Sequence, residues 1–167
     1  MPWAPESIIE LDQDKTMPTT DLIIRSYRAD DLTATVDLWH RSWAATFPDV
    51  QHKLPRDQWD VRFVEKIIPA NEIWIAERGA RIAGFLAVDP GTGHLDQLFI
   101  EPTDQNRGVG SALMEKAKAL SPDGLHLRVL RANTVAIRFY ERHGFAFATS
   151  GISPYNKMPM HEYVWTP

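Results

Sequence analysis

Gln105-Asn106-Arg107-Gly108-Val109-Gly110-Ser111 joins an extended run, Leu95-Asp96-Gln97-Leu98-Phe99-Ile100, to a stretch of helical apolar spacing from about Gly108 to Leu120. Glycines at 108 and 110 remove side chains that would hold a ligand off the backbone. A loop that opens straight into a helix presents unpaired N–H donors and about half a unit of positive charge. A diphosphate is the natural guest, and Arg107 adds a full charge. Gly-x-Gly alone also fits a tight turn ahead of a helix, so the surroundings decide. A dinucleotide fold wants a third glycine at 113, where Leu113 stands, and an acid closing the next strand, where Leu130 and Arg131 stand. A nucleotide triphosphate loop wants Gly-Lys-Ser/Thr, and the chain has none.

Upstream of the loop, Leu22 to Tyr27 reads as a strand, and Asp30 or Asp31 is placed to cap a helix carrying Leu32, Val36, Trp39, Trp43 and Phe47, closed by Pro48. A second helix is expected from about Pro55 to Ile68, ending before Pro69. Glu72 to Glu77 and Arg81 to Val88 alternate with period two around Arg78, Gly79 and Ala80, an antiparallel hairpin, and His94 to Ile100 is the next strand. Downstream come the glycine helix, a strand from Gly124 to Leu130, a helix from Asn133 to His143 with Gly144 at its C-cap, and strands near Phe145 to Thr149 and Met158 to Trp165. This order predicts a single α/β (α+β) domain over 22–167, a mixed, mostly antiparallel sheet of about six to seven strands flanked by about four helices. Residues 1–21, with three prolines and no sustained period, read as a flexible N-terminal extension.

Composition closes off several function classes. The chain has 167 residues and a net charge of -4, against any mode that neutralises many phosphates, so no nucleic-acid partner is expected. With no cysteine, thiolate catalysis and sulfur-ligated metals drop out, and no metal site is expected. No stretch approaches the roughly 20 apolar residues of a membrane helix, and Met1-Pro2-Trp3-Ala4 lacks a secretion signal's pattern; a cytoplasmic protein with no membrane partner is the expectation.

The loop resembles the signature Gln/Arg-x-x-Gly-x-Gly/Ala of the GNAT superfamily of N-acetyltransferases, through Gln105, Gly108 and Gly110. The run from Leu95 to Pro102 is similar to the family's central strand, and Asn133-Thr134-Val135-Ala136 with Phe139-Tyr140-Glu141-Arg142-His143-Gly144-Phe145 is similar to its second cofactor motif. The resemblance spans about 22–165. It implies a sheet splayed in the middle and acetyl-CoA as acetyl donor, its pantetheine arm lying in the gap. Leu98, Phe99 and Ile100 would line that arm, backbone amides of Gln105, Asn106, Arg107, Gly108, Val109, Gly110 and Ser111 would hold the pyrophosphate, and Asn133 would bond the arm besides capping its helix.

Acyl transfer from a thioester to an amine needs a neutral amine and a proton for the departing thiolate. A helix tyrosine ordinarily packs a core, but the motif context makes Tyr140 the acid: its phenol, near pKa 10, is protonated at neutral pH. The base is expected from His94 or Asp96, which share one face of their strand by the period of two, Asp96 being able instead to activate a water or bind a cationic amine. The acceptor, a small amine or a protein amine, is expected opposite the cofactor, among Trp39, Trp43, Phe47, Trp59 and Tyr155. Aromatics at helical spacing usually form core, so the loop residues Phe47 and Tyr155 are the substrate-binding candidates. Apolar final strands allow a monomer or a homodimer. A non-catalytic acyl-CoA sensor is the competing class; thiol release in the presence of amines separates the two.

Overall fold

The computed structural model describes residues 22–52 and 54–167. The extension expected over 1–21 lies outside the described residues.

Seven strands form one sheet in the order β1-β2-β3-β4-β5-β7-β6. They are β1 Leu22–Ser26, β2 Glu72–Arg78, β3 Arg81–Asp89, β4 His94–Ile100, β5 Leu125–Leu130, β6 Ala146–Ile152 and β7 Pro159–Trp165. The helices are α1 Leu32–Thr46, α2 Arg56–Arg62, α3 Ile68–Ala70, α4 Val109–Leu120 and α5 Thr134–Arg142. Every neighbouring pair is antiparallel except β4 and β5, which are parallel and joined by α4, as a crossover requires.

The period-two strands turn alternate residues to opposite faces. Ile73, Ile75, Phe85 and Ala87 pack under α1 and α2 with Val36, Leu38, Trp39, Trp59 and Phe63. Leu86, Val88 and Leu95 pack on the other face with Leu113 and Met114 of α4 and Tyr140 of α5. Phe63 is fully buried, worth about 1.5–3 kcal/mol. A Cβ on Gly84 would come within 2.9 Å of the Phe99 carbonyl and 3.2 Å of Leu113, so glycine there lets α4 lie close on β3. No helix among the described residues is long and apolar enough to cross a membrane.

Three local expectations are corrected. Neither Asp30 nor Asp31 caps α1 by its side chain. The Asp31 carboxylate instead accepts the Arg28 N–H at 2.7 Å and the Arg25 guanidinium at 2.8 and 2.9 Å, an ion pair that outcompetes a neutral cap. Pro69 does not end the second helix: a π turn over Phe63–Ile67 precedes it, and the widened turn carries the chain through Pro69 to Ala70. β6 runs on to Ile152, past Thr149, because it goes on pairing with β7 at the sheet edge beyond a register shift between Phe147 and Thr149.

Candidate active site

β4 and β5 share one register position, His94 opposite His126, and beyond it the strands part. Glu101 donates its N–H to Ala83 of β3 at 2.8 Å, so by alternation the backbone groups of Leu98 and Ile100 turn toward the gap. The Ile100 carbonyl accepts the Ser42 hydroxyl at 3.1 Å, which leaves the gap the Ile100 N–H and both groups of Leu98. Phe99 is not brought to the gap: its backbone faces β3, and its ring stacks on Phe85 at 6.0 Å.

The glycine loop sits where the gap is wide. Gln105, Asn106, Arg107 and Gly108 are exposed, whereas the Val109 side chain is buried. Ala112 makes the first intrahelical bond of α4, to the Gly108 carbonyl at 3.0 Å, so the Val109, Gly110 and Ser111 N–H groups have no partner within the helix. Gly108 has φ +82, and a Cβ there would meet nothing within 4 Å, so the space above those amides is open. At Gly110 a Cβ would lie 3.0 Å from the Phe139 ring, so this glycine serves α4–α5 packing. Asn133 caps α5, its Oδ1 accepting the Ala136 N–H at 3.2 Å.

The loop is anchored from the β2–β3 hairpin, which the sequence reading missed. Asp104, 1% exposed, is ion-paired with Arg81, the second contact measuring 3.1 Å, and Arg78 lies 3.8 Å away. Arg78 also donates to the Arg107 carbonyl at 3.2 Å. The Arg81 guanidinium holds the Asp104 carboxyl below its ordinary range. The one signal in the sequence is a pair of arginines flanking a two-residue turn, indistinguishable there from solvated charge.

Tyr140 is 8% exposed, its ring 5.6 Å from Phe139 and 5.7 Å from Phe145, and its hydroxyl has no hydrogen-bond partner among the described residues. Burial pushes its phenol up to about 12. It belongs to the α4–α5 face. His94 and Asp96 belong to the opposite one. The β3–β4 register breaks between Ala87 and Val88: Leu95 pairs with Val88 and Gln97 with Ala87, which leaves Asp96 as the inserted residue of a β-bulge. The Asp96 carboxylate accepts the Asn71 amide at 2.9 Å and the Gln97 amide at 3.1 Å. Asn71 gives its other amide hydrogen to the Ile67 carbonyl at 2.9 Å, which fixes it at the end of α3. His94 stacks on exposed His126 at 5.1 Å. Burial chiefly, with the charges of His126 and Arg128, pulls the His94 imidazole below its ordinary value against the opposing Asp96. It is therefore neutral at pH 7 and able to accept a proton.

Of the residues expected around the amine, Trp39 and Trp59 are 3% and 1% exposed, hence core. Phe47 packs on Trp43 at 5.4 Å. Tyr155, 73% exposed in the β6–β7 loop, lies against Arg62 of α2.

Comparison with known proteins agrees with the fold. The family model described as "Acetyltransferase (GNAT) domain" matches residues 69–146. The peptidyl-lysine N-acetyltransferase YjaB of Salmonella typhimurium is 32% identical over 124 residues, 73% of this chain and 81% of that protein. The solution structure of apo YjaB from Escherichia coli superposes with a TM-score of 0.71 at 26% identity, covering 86% of this chain and 97% of that one. The PaiA N-acetyltransferase of Thermoplasma acidophilum, in complex with coenzyme A, shares the fold with a TM-score of 0.71 at 17% identity over 89% of this chain and all (100%) of that one.

Proposed function

The chain belongs to the GNAT acetyltransferase family, and on that premise we propose that this N-acetyltransferase moves the acetyl group of acetyl-CoA to the side-chain amine of a peptidyl lysine, by direct attack with both substrates bound. The observation that carries the reading is the parting of β4 and β5 after His94, which opens a gap that residues of both faces of the sheet border. The N–H groups at the start of α4, beneath the open space at Gly108, fit a diphosphate, and the free Leu98 backbone fits the amide-bearing arm. The peptidyl-lysine acceptor is the activity named for YjaB.

Asp96, its carboxylate steadied by Asn71 and Gln97, draws in the cationic amine. His94, neutral, takes the proton that frees the nitrogen lone pair. As the new C–N bond forms and the C–S bond breaks, Tyr140 gives its phenolic proton to the departing sulfur from the other face. No covalent enzyme intermediate is needed, as suits a chain without cysteine.

Release of CoA thiol from acetyl-CoA with lysine peptides and a panel of small amines tests this. Expected is release with lysine peptides, with an acidic limb in the rate profile that His94→Ala removes. An acidic limb that His94→Ala leaves in place, or a profile flat well below the ordinary imidazole range in both proteins, removes His94 as base. Tight acetyl-CoA binding without release with any amine would replace the enzyme reading by a sensor.

A further inference from the structure

We infer that Arg62 is the specificity-determining residue of the amine side, binding an acidic side chain next to the acceptor lysine; this rests on the peptidyl-lysine reading. Arg62 closes α2, and its Cζ lies 5.5 Å from the Trp39 ring centroid and 5.1 Å from that of Tyr155. Trp39 is fixed in the core beside Phe99 of β4, at 6.5 Å. Tyr155 comes from the β6–β7 loop, beyond β5. The two sides of the sheet therefore meet at Arg62, over the face on which Asp96 and His94 lie.

The two rings favour a cation but offer the guanidinium no in-plane acceptor. Arg62 has no ion pair and no hydrogen bond among the described residues, whereas Arg56, on the same helix, holds Asp37 and Asp60. Its N–H fork is thus free to take a planar carboxylate by two bonds. A lysine whose amine reached Asp96 would carry its neighbours over the face that Arg62 borders, each residue advancing the chain by only about 3.5 Å. An unpaired cation here also disfavours polyamines, which carry further positive charge and no carboxylate.

The test uses two peptides blocked at both ends and identical except for Glu or Gln on either side of one lysine. Their kcat/KM is measured by thiol release with the wild-type chain, Arg62→Gln and Arg62→Lys. A hydrogen-bonded charge pair corresponds to about tenfold or more, so the wild type is expected to prefer the Glu peptide by that factor. The ratio should fall toward unity in Arg62→Gln and stand between the two in Arg62→Lys, whose point charge lacks the fork. A wild-type ratio near unity, or a ratio that Arg62→Gln leaves alone whatever its effect on absolute rates, overturns the inference and leaves the lysine reading standing. Acetylation of a small amine but of neither peptide overturns the lysine reading, and this inference with it.

Discussion

Replacing Tyr140 with Phe deletes one oxygen that has no hydrogen-bond partner among the described residues. The hydroxyl is not among the side-chain atoms both buried and unpartnered, so it keeps a contact with solvent, and its removal should shift stability by less than about 1 kcal/mol in either direction. The ring contacts with Phe139 and Phe145 persist. Turnover moves the other way: loss of a general acid removes about 10²–10⁴ in rate, roughly 3–5 kcal/mol of barrier. Because the phenol at about 12 is a weaker acid than a thiol near 8.5, transfer to the thiolate is uphill even once the C–S bond has broken, so it is drawn forward only as solvent reprotonates Tyr140 and the thiol leaves. Linkage gives an independent check. The folded state holds this proton more tightly than the unfolded chain, whose tyrosine titrates near 10, so below pH 10 the group leaves stability unchanged, and between about 10 and 12 up to ~3 kcal/mol is lost as pH rises. Tyr140→Phe should lack that alkaline loss. The assays are single-turnover thiol release, acetyl-CoA affinity and melting curves across pH. Turnover within threefold of wild type with cofactor binding intact refutes the acid role, and a large fall in melting temperature refutes the account of a hydroxyl that no protein group holds.

Two further perturbations test the loop. Gly108→Ala meets no protein atom and costs only the left-handed strain of about 1–2 kcal/mol, so a loss of acetyl-CoA affinity beyond tenfold by calorimetry is expected from the methyl entering the diphosphate's space; unaltered affinity places the diphosphate elsewhere. Asp104→Ala strips Arg78 and Arg81 of their carboxylate. Because Arg81 is 52% exposed and regains water, the cost should be about 1–3 kcal/mol, less than for a fully buried pair, with weaker acetyl-CoA binding through the unanchored loop. Since the Asp104 carboxyl titrates below its ordinary value, the stability difference should be full at pH 7 and shrink as pH falls below about 4; a difference that persists in acid makes the effect one of packing.

What the sequence revealed was periodic or local. Strand and helix order, the α5 cap at Asn133 and the loop opening into α4 follow from residues a few positions apart, where spacing and backbone chemistry act directly. What stayed hidden depends on who meets whom across the fold. Gly108 and Gly110 look equivalent in the chain, yet one is required by its left-handed φ and the other by the Phe139 ring from α5. Likewise nothing near Arg62, Arg78 and Arg81 in the chain sets them apart until the β6–β7 loop and Asp104 are brought beside them.

The most consequential hidden feature did leave a trace. A regular strand puts residues of one face two or four apart, but Leu95 and Leu98, three apart, both join the α4–α5 cluster, while Phe99 joins the other. That spacing is possible only if one residue is inserted between them, and the β3–β4 register identifies it as Asp96. Had the pairing of His94 and Leu95 continued unbroken, Leu98 would lie under α1 and Phe99 under α4, and each core would lose a member. The irregularity that seats both leucines therefore also sets a carboxylate just past the last paired position of β4 and β5, where the strands separate and an incoming amine would need it. Asn71 at the end of α3 and Gln97 beside the bulge take its two oxygens, so the bulge is braced from both sides.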